Sequence, residues 1–276
     1  MSIVTISRQA YSKGGEVAEK VARALGYRCI GRELVMDASK EFKLDETGFN
    51  RAIHDAPSLV ERVTDKKEKY IAYFQVALLR KLRLDFAVYH GLAGHFFIKG
   101  VPHVLKVRII ADKDDRLRTE MERLHVGREE ALRILKHEDE ERREWGLNEY
   151  GIDTADPGLY DLVIHLGDIT VDDAARLICY TLRSGPYRTT RQSQKALEDL
   201  TLASEVRAAL IAMDLTADVR ADGGYVEVNI RFPPIPAGEK KELVQEMKRV
   251  VRSVPGVRWV EVKTTGLTTG YAYYSP

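Results

Sequence analysis

Ile3-Val4-Thr5-Ile6-Ser7-Arg8-Gln9-Ala10-Tyr11-Ser12-Lys13-Gly14-Gly15-Glu16 is the stretch on which the reading of this chain turns. Residues Ile3 to Ile6 are a β-branched run. Beyond the double glycine, Val17, Ala18, Val21, Ala22 and Leu25 recur at helical spacing until Gly26. Strand, Gly-containing turn, helix is the order in which phosphate-binding loops occur. Such a loop surrounds phosphate oxygens with backbone N–H groups, sends a lysine to the outer phosphates, and holds Mg²⁺ on the Ser or Thr hydroxyl that follows. Here Lys13 precedes Gly14-Gly15 and no hydroxyl follows them. Glycines opening a helix still suit an anion, because the helix dipole places about half a positive charge there. The same residues also suit a tight turn with Lys13 in solvent.

Working outward, Val104 to Ala111 and Leu162-Val163-Ile164 read as buried strands, separated by a charged helical region from about Asp114 to Trp145. Strands alternating with helices predict an α/β fold with a parallel sheet flanked by helices. Thr170, followed three residues later by Asp173, has the spacing of a capping box, and Val171, Ala174, Ala175 and Ile178 supply an apolar face. That helix is expected to close a first domain, residues 1–183. The polar stretch 184–195, with its Gly-Pro break, reads as a linker. Residues 196–276 form a second, small α+β domain of order α-β-β-α-β: a helix from Ala196 to Met213, a hairpin turning at Asp222-Gly223-Gly224, a second amphipathic helix, and a strand from Val257 to Val262. The segment 264–276 reads as an exposed tail or an extra edge strand. Trp259 reads as core or as part of a contact surface.

Lys and Arg total 43 against 42 Asp and Glu, a net charge of +1. Bulk charge therefore does not select a nucleic acid or an anionic membrane, and any phosphate binding must be local. Cys29 and Cys179 are too few for a disulfide framework or a cysteine-rich zinc site. No signal peptide and no window of about 18 apolar residues is evident, so the expectation is a soluble cytoplasmic protein. The histidines show no metal-ligand spacing and are expected on the surface or in the core. No Gly-x-Ser-x-Gly elbow is present. Lys136, Asp139 and Arg142 fall at intervals of three in the charged region, with Arg133 and Arg143 nearby, which reads either as a basic face able to clamp phosphates or as an ordinary solvated helix.

Ile-Ser-Arg, then Ser12 to Glu16, then Ala-Glu-Lys-Val-Ala-Arg-Ala-Leu-Gly-Tyr resembles the opening of the cytidylate-kinase-like family of P-loop proteins. Gly31-Arg32-Glu33-Leu34 is similar to that family's Asp-Arg-Glu-Leu, and Gly91-Leu92-Ala93-Gly94 to its Gly-Arg-Gly-Gly turn. Arg116 and Arg123 match recurrent arginines. Asp139-Glu-Glu-Arg142-Arg-Glu-Trp145 and Asp156-Pro157-Gly-Leu-Tyr160-Asp161-Leu-Val continue the likeness, which spans almost all of 1–183. The resemblance implies a nucleoside monophosphate kinase fold using ATP and Mg²⁺, with catalysis by electrostatic positioning. It implies that Ser12, Gly14 and Gly15 contact phosphate. Arg116 would lie on the adenine or phosphate side of the nucleotide, Arg8 and Arg32 on the acceptor, CMP or a related nucleotide. Arg142 would be a lid arginine that neutralises charge during transfer, and Lys13, outside the family pattern, has a stem long enough to bring its ammonium to a β- or γ-phosphate for the same purpose.

The departures are as informative. Tyr11 and Lys13 stand where the family leads us to expect glycines, Gly31 where it has Asp, and Leu92 where it has Arg. The expectation is a nucleotide-binding protein whose phosphate loop is degenerate, weakly active or inactive as a kinase; the alternative is an active kinase for CMP or a related monophosphate. Mg²⁺, if used, arrives with the nucleotide. The C-terminal segment ending Val254-Pro255-Gly256-Val257-Arg-Trp259-Val260 resembles a BON domain, which implies a regulatory or oligomerising role, or a protein partner. No membrane or nucleic-acid partner is expected; a KH-type RNA module would need a Gly-x-x-Gly loop that is missing.

Overall fold

The computed structural model describes residues 2–45, 66–91, 94–232 and 235–266. Leu92 and the tail from 267 onward lie outside them. Chain contacts divide the protein into two compact units, Met1–Leu197 and Glu198–Pro276.

The first unit runs β1 (Ile3–Arg8), α1 (Gly14–Leu25), β2 (Arg28–Ile30), α2 (Glu33–Glu41), α3 (Lys66–Leu82), β3 (Ala87–His90), α4 (Gly94–Phe97), β4 (Val104–Ala111), α5 (Lys113–Leu124), α6 (Arg128–Tyr150), β5 (Leu162–Leu166) and α7 (Val171–Ser184). Its five strands form one parallel sheet, flanked by helices, in the order β2-β3-β1-β4-β5. β1 pairs on both sides, Ile3 opposite Ala87 and Val104, and its Ile3, Val4 and Ile6 are buried. A strand covered on both faces must be apolar on both, which is why Ile3 to Ile6 reads as a run rather than an alternation. Val17, Ala18, Val21 and Ala22 of α1 join Ala174, Ala175 and Ile178 of α7 in one cluster against β1, β4 and β5. α1 stops at Gly26, in the left-handed conformation (φ 68°). α7 begins with the expected capping box of Thr170 and Asp173.

The charged helical region is made of two helices: His125 takes a left-handed conformation (φ 56°), which ends α5, and α6 starts afresh at Arg128. One stretch differs from the sequence expectation. The stretch 191–195, expected as linker, is helical, because α8 (Arg191–Ile211) begins there. Thr190 N donates to Ser193 Oγ and Ser193 N donates to Thr190 Oγ1, at 2.9 and 3.1 Å. This reciprocal cap nucleates the helix ahead of its apolar face. The division between the units falls inside α8.

The second unit continues with β6 (Asp218–Asp222), β7 (Tyr225–Phe232), α9 (Ala237–Ser253) and β8 (Trp259–Gly266). Its sheet has the order β6-β7-β8, antiparallel then parallel. The turn into β7 requires Gly224: φ is +90°, and a Cβ there would stand 2.9 Å from the Gly256 carbonyl. Val226, Val228, Ile230 and Phe232 face a core completed by Val206, Leu210, Met247, Val251 and Val260. Trp259 is not core. It is 61% exposed, beside Tyr225 on the opposite face.

His95 is buried against Phe96 and Tyr160, and its Nε2 has no hydrogen-bond partner among the described residues. Burial first, then Arg108, pushes its pKa down to about 3. The folded state therefore binds fewer protons than the unfolded chain below about pH 6.5. Stability of this unit is full above that pH and falls as pH drops from about 6.5 toward 3. His95→Phe is expected to flatten that limb by a few kcal/mol, read from melting temperature against pH; an unchanged slope would contradict the assignment.

Candidate functional site

A cleft of ≈ 440 Å³ opens at the carboxyl ends of β1, β2 and β3. β1 is where successive strands stop adding on one side of the sheet and begin on the other, the place in an open α/β sheet where ligands bind. Arg8 comes from the end of β1, His90 from the end of β3, Gly31 and Arg32 from the start of α2, and Glu138 and Arg142 from α6. Residues Tyr11 to Glu16, together with Val35, Phe74, Tyr89, Gly91, Thr119 and Arg123, line the rest of the wall.

The loop follows a path suited to glycine without having the glycines. Tyr11 and Lys13 both sit in the left-handed region, φ 57° and 56°. Each costs on the order of 1–3 kcal/mol there, so the surroundings must hold them. Ser12 is buried, its hydroxyl 3.0 Å from the Gln9 carbonyl and 3.3 Å from that of Ile109. Tyr11 donates its hydroxyl to Glu138, and the Arg123 guanidinium lies 5.1 Å from the centre of its ring. Tyr11 thus reaches across to α6; its burial and the Glu138 carboxylate raise its pKa. Lys13, which caps α1, is exposed and has no partner among the described residues.

Arg116 does not line the cleft. Its guanidinium is buried, donating from Nε to the Ala10 carbonyl at 2.7 Å and from Nη2 to Asp139 at 2.5 Å. Asp139 in turn accepts from the Ala10 N–H at 3.2 Å. The residue expected on the nucleotide instead clamps the loop to α6. Arg133 and Arg143 are engaged elsewhere, with Glu130 and with Glu140 and Asp153. Of the expected basic face, the described cleft lining keeps Arg142, whose Nη2 is 3.5 Å from Glu138. Arg123 makes a bidentate pair with buried Glu120.

Arg8 is different. It is half-buried, and its one partner among the described residues is a ring nitrogen, Nδ1 of His90, at 3.2 Å. Burial lowers its pKa, and so do the neighbouring Arg142 and Arg32. An arginine nevertheless keeps its proton in a protein. Exposed Arg32 also lacks a partner among the described residues. Arg8, Lys13 and Arg32 therefore present positive charge without a paired carboxylate.

His90, Glu138 and Asp139's role as a clamp were not evident in the sequence as site features. The short strand Ala87–His90 that ends at the cleft was the signal that would have singled out His90. Among the described residues no group of three or more His, Cys, Asp or Glu side chains is placed to hold a metal ion, and no helix is long and apolar enough to cross a membrane.

Fold and cleft together define an open-sheet α/β protein with a cationic pocket at the switch point of its strands. Residues 3–168 match the model of the cytidylate kinase-like family, and the chain belongs to that family. A protein from Pyrobaculum aerophilum named cytidylate kinase is 24% identical over 194 residues, covering 70% of this chain and 99% of the relative. The crystal structure of an uncharacterized protein from Eubacterium ventriosum superposes with a TM-score of 0.52 at 23% identity, over 67% of this chain and all of that one. Shikimate kinase from Acinetobacter baumannii, in complex with shikimate, is 14% identical over 68% of this chain and 96% of its own, at a TM-score of 0.39.

Proposed function

We propose that the cleft binds the phosphates of nucleotides and that the protein transfers phosphoryl groups slowly. One observation carries this reading: the cations divide into two sets. Arg8, Lys13 and Arg32 line the cleft with no carboxylate paired to them among the described residues, as a polyanion requires. Arg116, Arg123 and Arg142 already have one, in Asp139, Glu120 and Glu138. Binding needs the first set, and screening of a transferring phosphoryl group needs the second.

In this reading ATP lies with its phosphates over Gly14 and Gly15 at the start of α1, within reach of Lys13, and CMP or a related monophosphate meets Arg8 and Arg32. Ser12 serves through the backbone shape it fixes rather than through its hydroxyl. That hydroxyl is turned to two carbonyls, so it does not fit a protein-held Mg²⁺; the ion enters with the nucleotide and keeps several waters. Arg142 becomes a catalytic group only after leaving Glu138. The second reading, an efficient cytidylate kinase, is favoured by the likeness to the Pyrobaculum protein along nearly its whole length.

A coupled assay of ADP formation separates the two. Slow turnover is expected for the wild type, and Glu138→Gln, which frees Arg142 and removes a negative charge, is expected to raise it about tenfold. Rapid wild-type turnover that Glu138→Gln does not increase would favour the second reading. Lys13→Ala is expected to weaken ATP about tenfold in a calorimetric titration and to leave CMP unchanged, as a single phosphate contact does. Equal ATP affinity would remove Lys13 from the site.

The reading extends to a kinase-like domain ending near residue 183 and a BON-like module after the 184–195 segment. The α-β-β-α-β order and the exposed pair Tyr225 and Trp259 support a protein-binding role for that module.

A further inference from the structure

Among the polar side chains that line the cleft, His90 has no role in the binding and transfer described so far. His90 ends β3, between the start of α1 and the start of α2. A Cβ added at Gly15 would lie 2.9 Å from Arg8 Nη1 and 3.7 Å from His90 Cε1; one added at Gly31 would lie 2.5 Å from His90 Nε2. Any side chain at residue 31 would collide with the ring where it now stands.

The chemistry of the Arg8 contact fixes the ring's proton. A guanidinium only donates, so Nδ1, 3.2 Å from Arg8 Nη1, accepts. A neutral ring then carries its hydrogen on Nε2. Protonating Nδ1 as well would set one donor against another beside a cation. Burial, then Arg8, holds the His90 pKa below its ordinary value, against the opposing pull of Glu33 and Glu19. Glu33 Oε1 accepts the Gly31 N–H at 2.7 Å. Among the described residues His90 Nε2 has no partner, and His90 lines the cleft beside Arg32 and Gly31.

We propose that His90 is a ligand-binding residue for the monophosphate acceptor: oriented by Arg8 and admitted by Gly31, it offers Nε2–H to an oxygen of the acceptor's phosphate. The inference rests on the nucleotide reading of the same cleft. A ring in this tautomer has no free acceptor, so His90 donates to the ligand and does not serve as a base toward it. Arg8, Arg32 and His90 then supply donors and no acceptor, a set suited to a phosphomonoester.

The test is a calorimetric titration of CMP and, separately, of ATP into the whole chain and its variants, with ¹⁵N-histidine spectra of the free protein. His90→Asn keeps an acceptor for Arg8 and loses the Nε2–H; His90→Phe keeps the bulk alone; His90→Gln returns a donor near the Nε2 position. CMP is expected to weaken about tenfold or more in the Asn and Phe variants, the scale of one hydrogen bond to a charged group, and ATP to stay within about twofold. His90→Gln is expected to stay within about threefold of the wild type for CMP. Gly31→Ala is expected to weaken CMP on its own and to add nothing further when combined with His90→Ala. The spectra are expected to show His90 neutral at pH 7 with its proton on Nε2.

Full CMP affinity in both His90→Asn and His90→Phe would overturn the proposal. So would a loss in His90→Gln as large as in His90→Phe, or a proton found on Nδ1. A wild type that binds neither CMP nor ATP would overturn the nucleotide reading, and this inference with it.

Discussion

Arg8→Met is expected to lower the affinity for CMP about thirtyfold or more while leaving the protein folded. Truncating one member of a buried charge-assisted contact costs about 2 kcal/mol or more, and each 1.4 kcal/mol is tenfold. Arg8, like Arg142, is a half-buried cation of the cleft, and three observations make it a ligand residue rather than a structural one. No carboxylate pairs with it among the described residues, its partner is neutral, and Arg142 and Arg32 repel it. An unpaired guanidinium so placed destabilises the empty protein, and a bound anion removes that penalty. Methionine keeps the length and the apolar stem that lies against Gly14, so its loss of affinity reports the charge. The variant is expected to melt no lower than the wild type. Retained affinity, measured by calorimetry, would move the phosphate site away from the end of β1.

The second large effect is on stability. Trp145 is fully buried on α6 and packs against Phe96 and Tyr150. Trp145→Ala is expected to cost about 3–5 kcal/mol, from lost burial and an unfilled cavity. For a unit of this size that lowers the melting temperature by roughly 10 °C. The same helix carries Glu138 and Arg142 to the cleft and Asp139 to the loop, so the Asp139 clamp on Ala10 and Arg116 loosens with it. Trp145→Phe, which fills most of the space, is expected to recover more than half of the loss by thermal melting. Equal melting of Trp145→Ala and wild type would show that α6 is not anchored there.

The sheet was legible because apolar runs, glycines and caps act locally. Ile3 to Ile6, the α1 face, Gly26 and the Thr170 cap all behave as their sequence pattern implies. The second unit was legible for the same reason, its period-two pattern along β7 returning as a core face. What sequence could not show is where charges are paired. Arg116 and Arg142 look alike in one dimension, but Asp139 takes the first into a clamp and Glu138 holds the second at the cleft. Tyr11 stood out in the sequence only as a residue in a glycine's place, and a carboxylate more than a hundred residues away decides where its hydroxyl goes. His90 escaped notice because β3 is only four residues long. Trp259 faces solvent because its position in the β8 alternation, next to inward Val260, sets its face.

The central claim is that phosphates bind where Arg8, Lys13 and Arg32 stand unpaired, while transfer is held back by the pairing of Arg142 with Glu138. Its most direct test is to measure, on one preparation of the whole chain with Mg²⁺, the equilibrium binding of ATP and of CMP by calorimetry alongside ADP formation at saturation. Saturable binding of both nucleotides, with turnover that rises in Glu138→Gln, is the expected result. Absence of binding by either nucleotide would contradict the account.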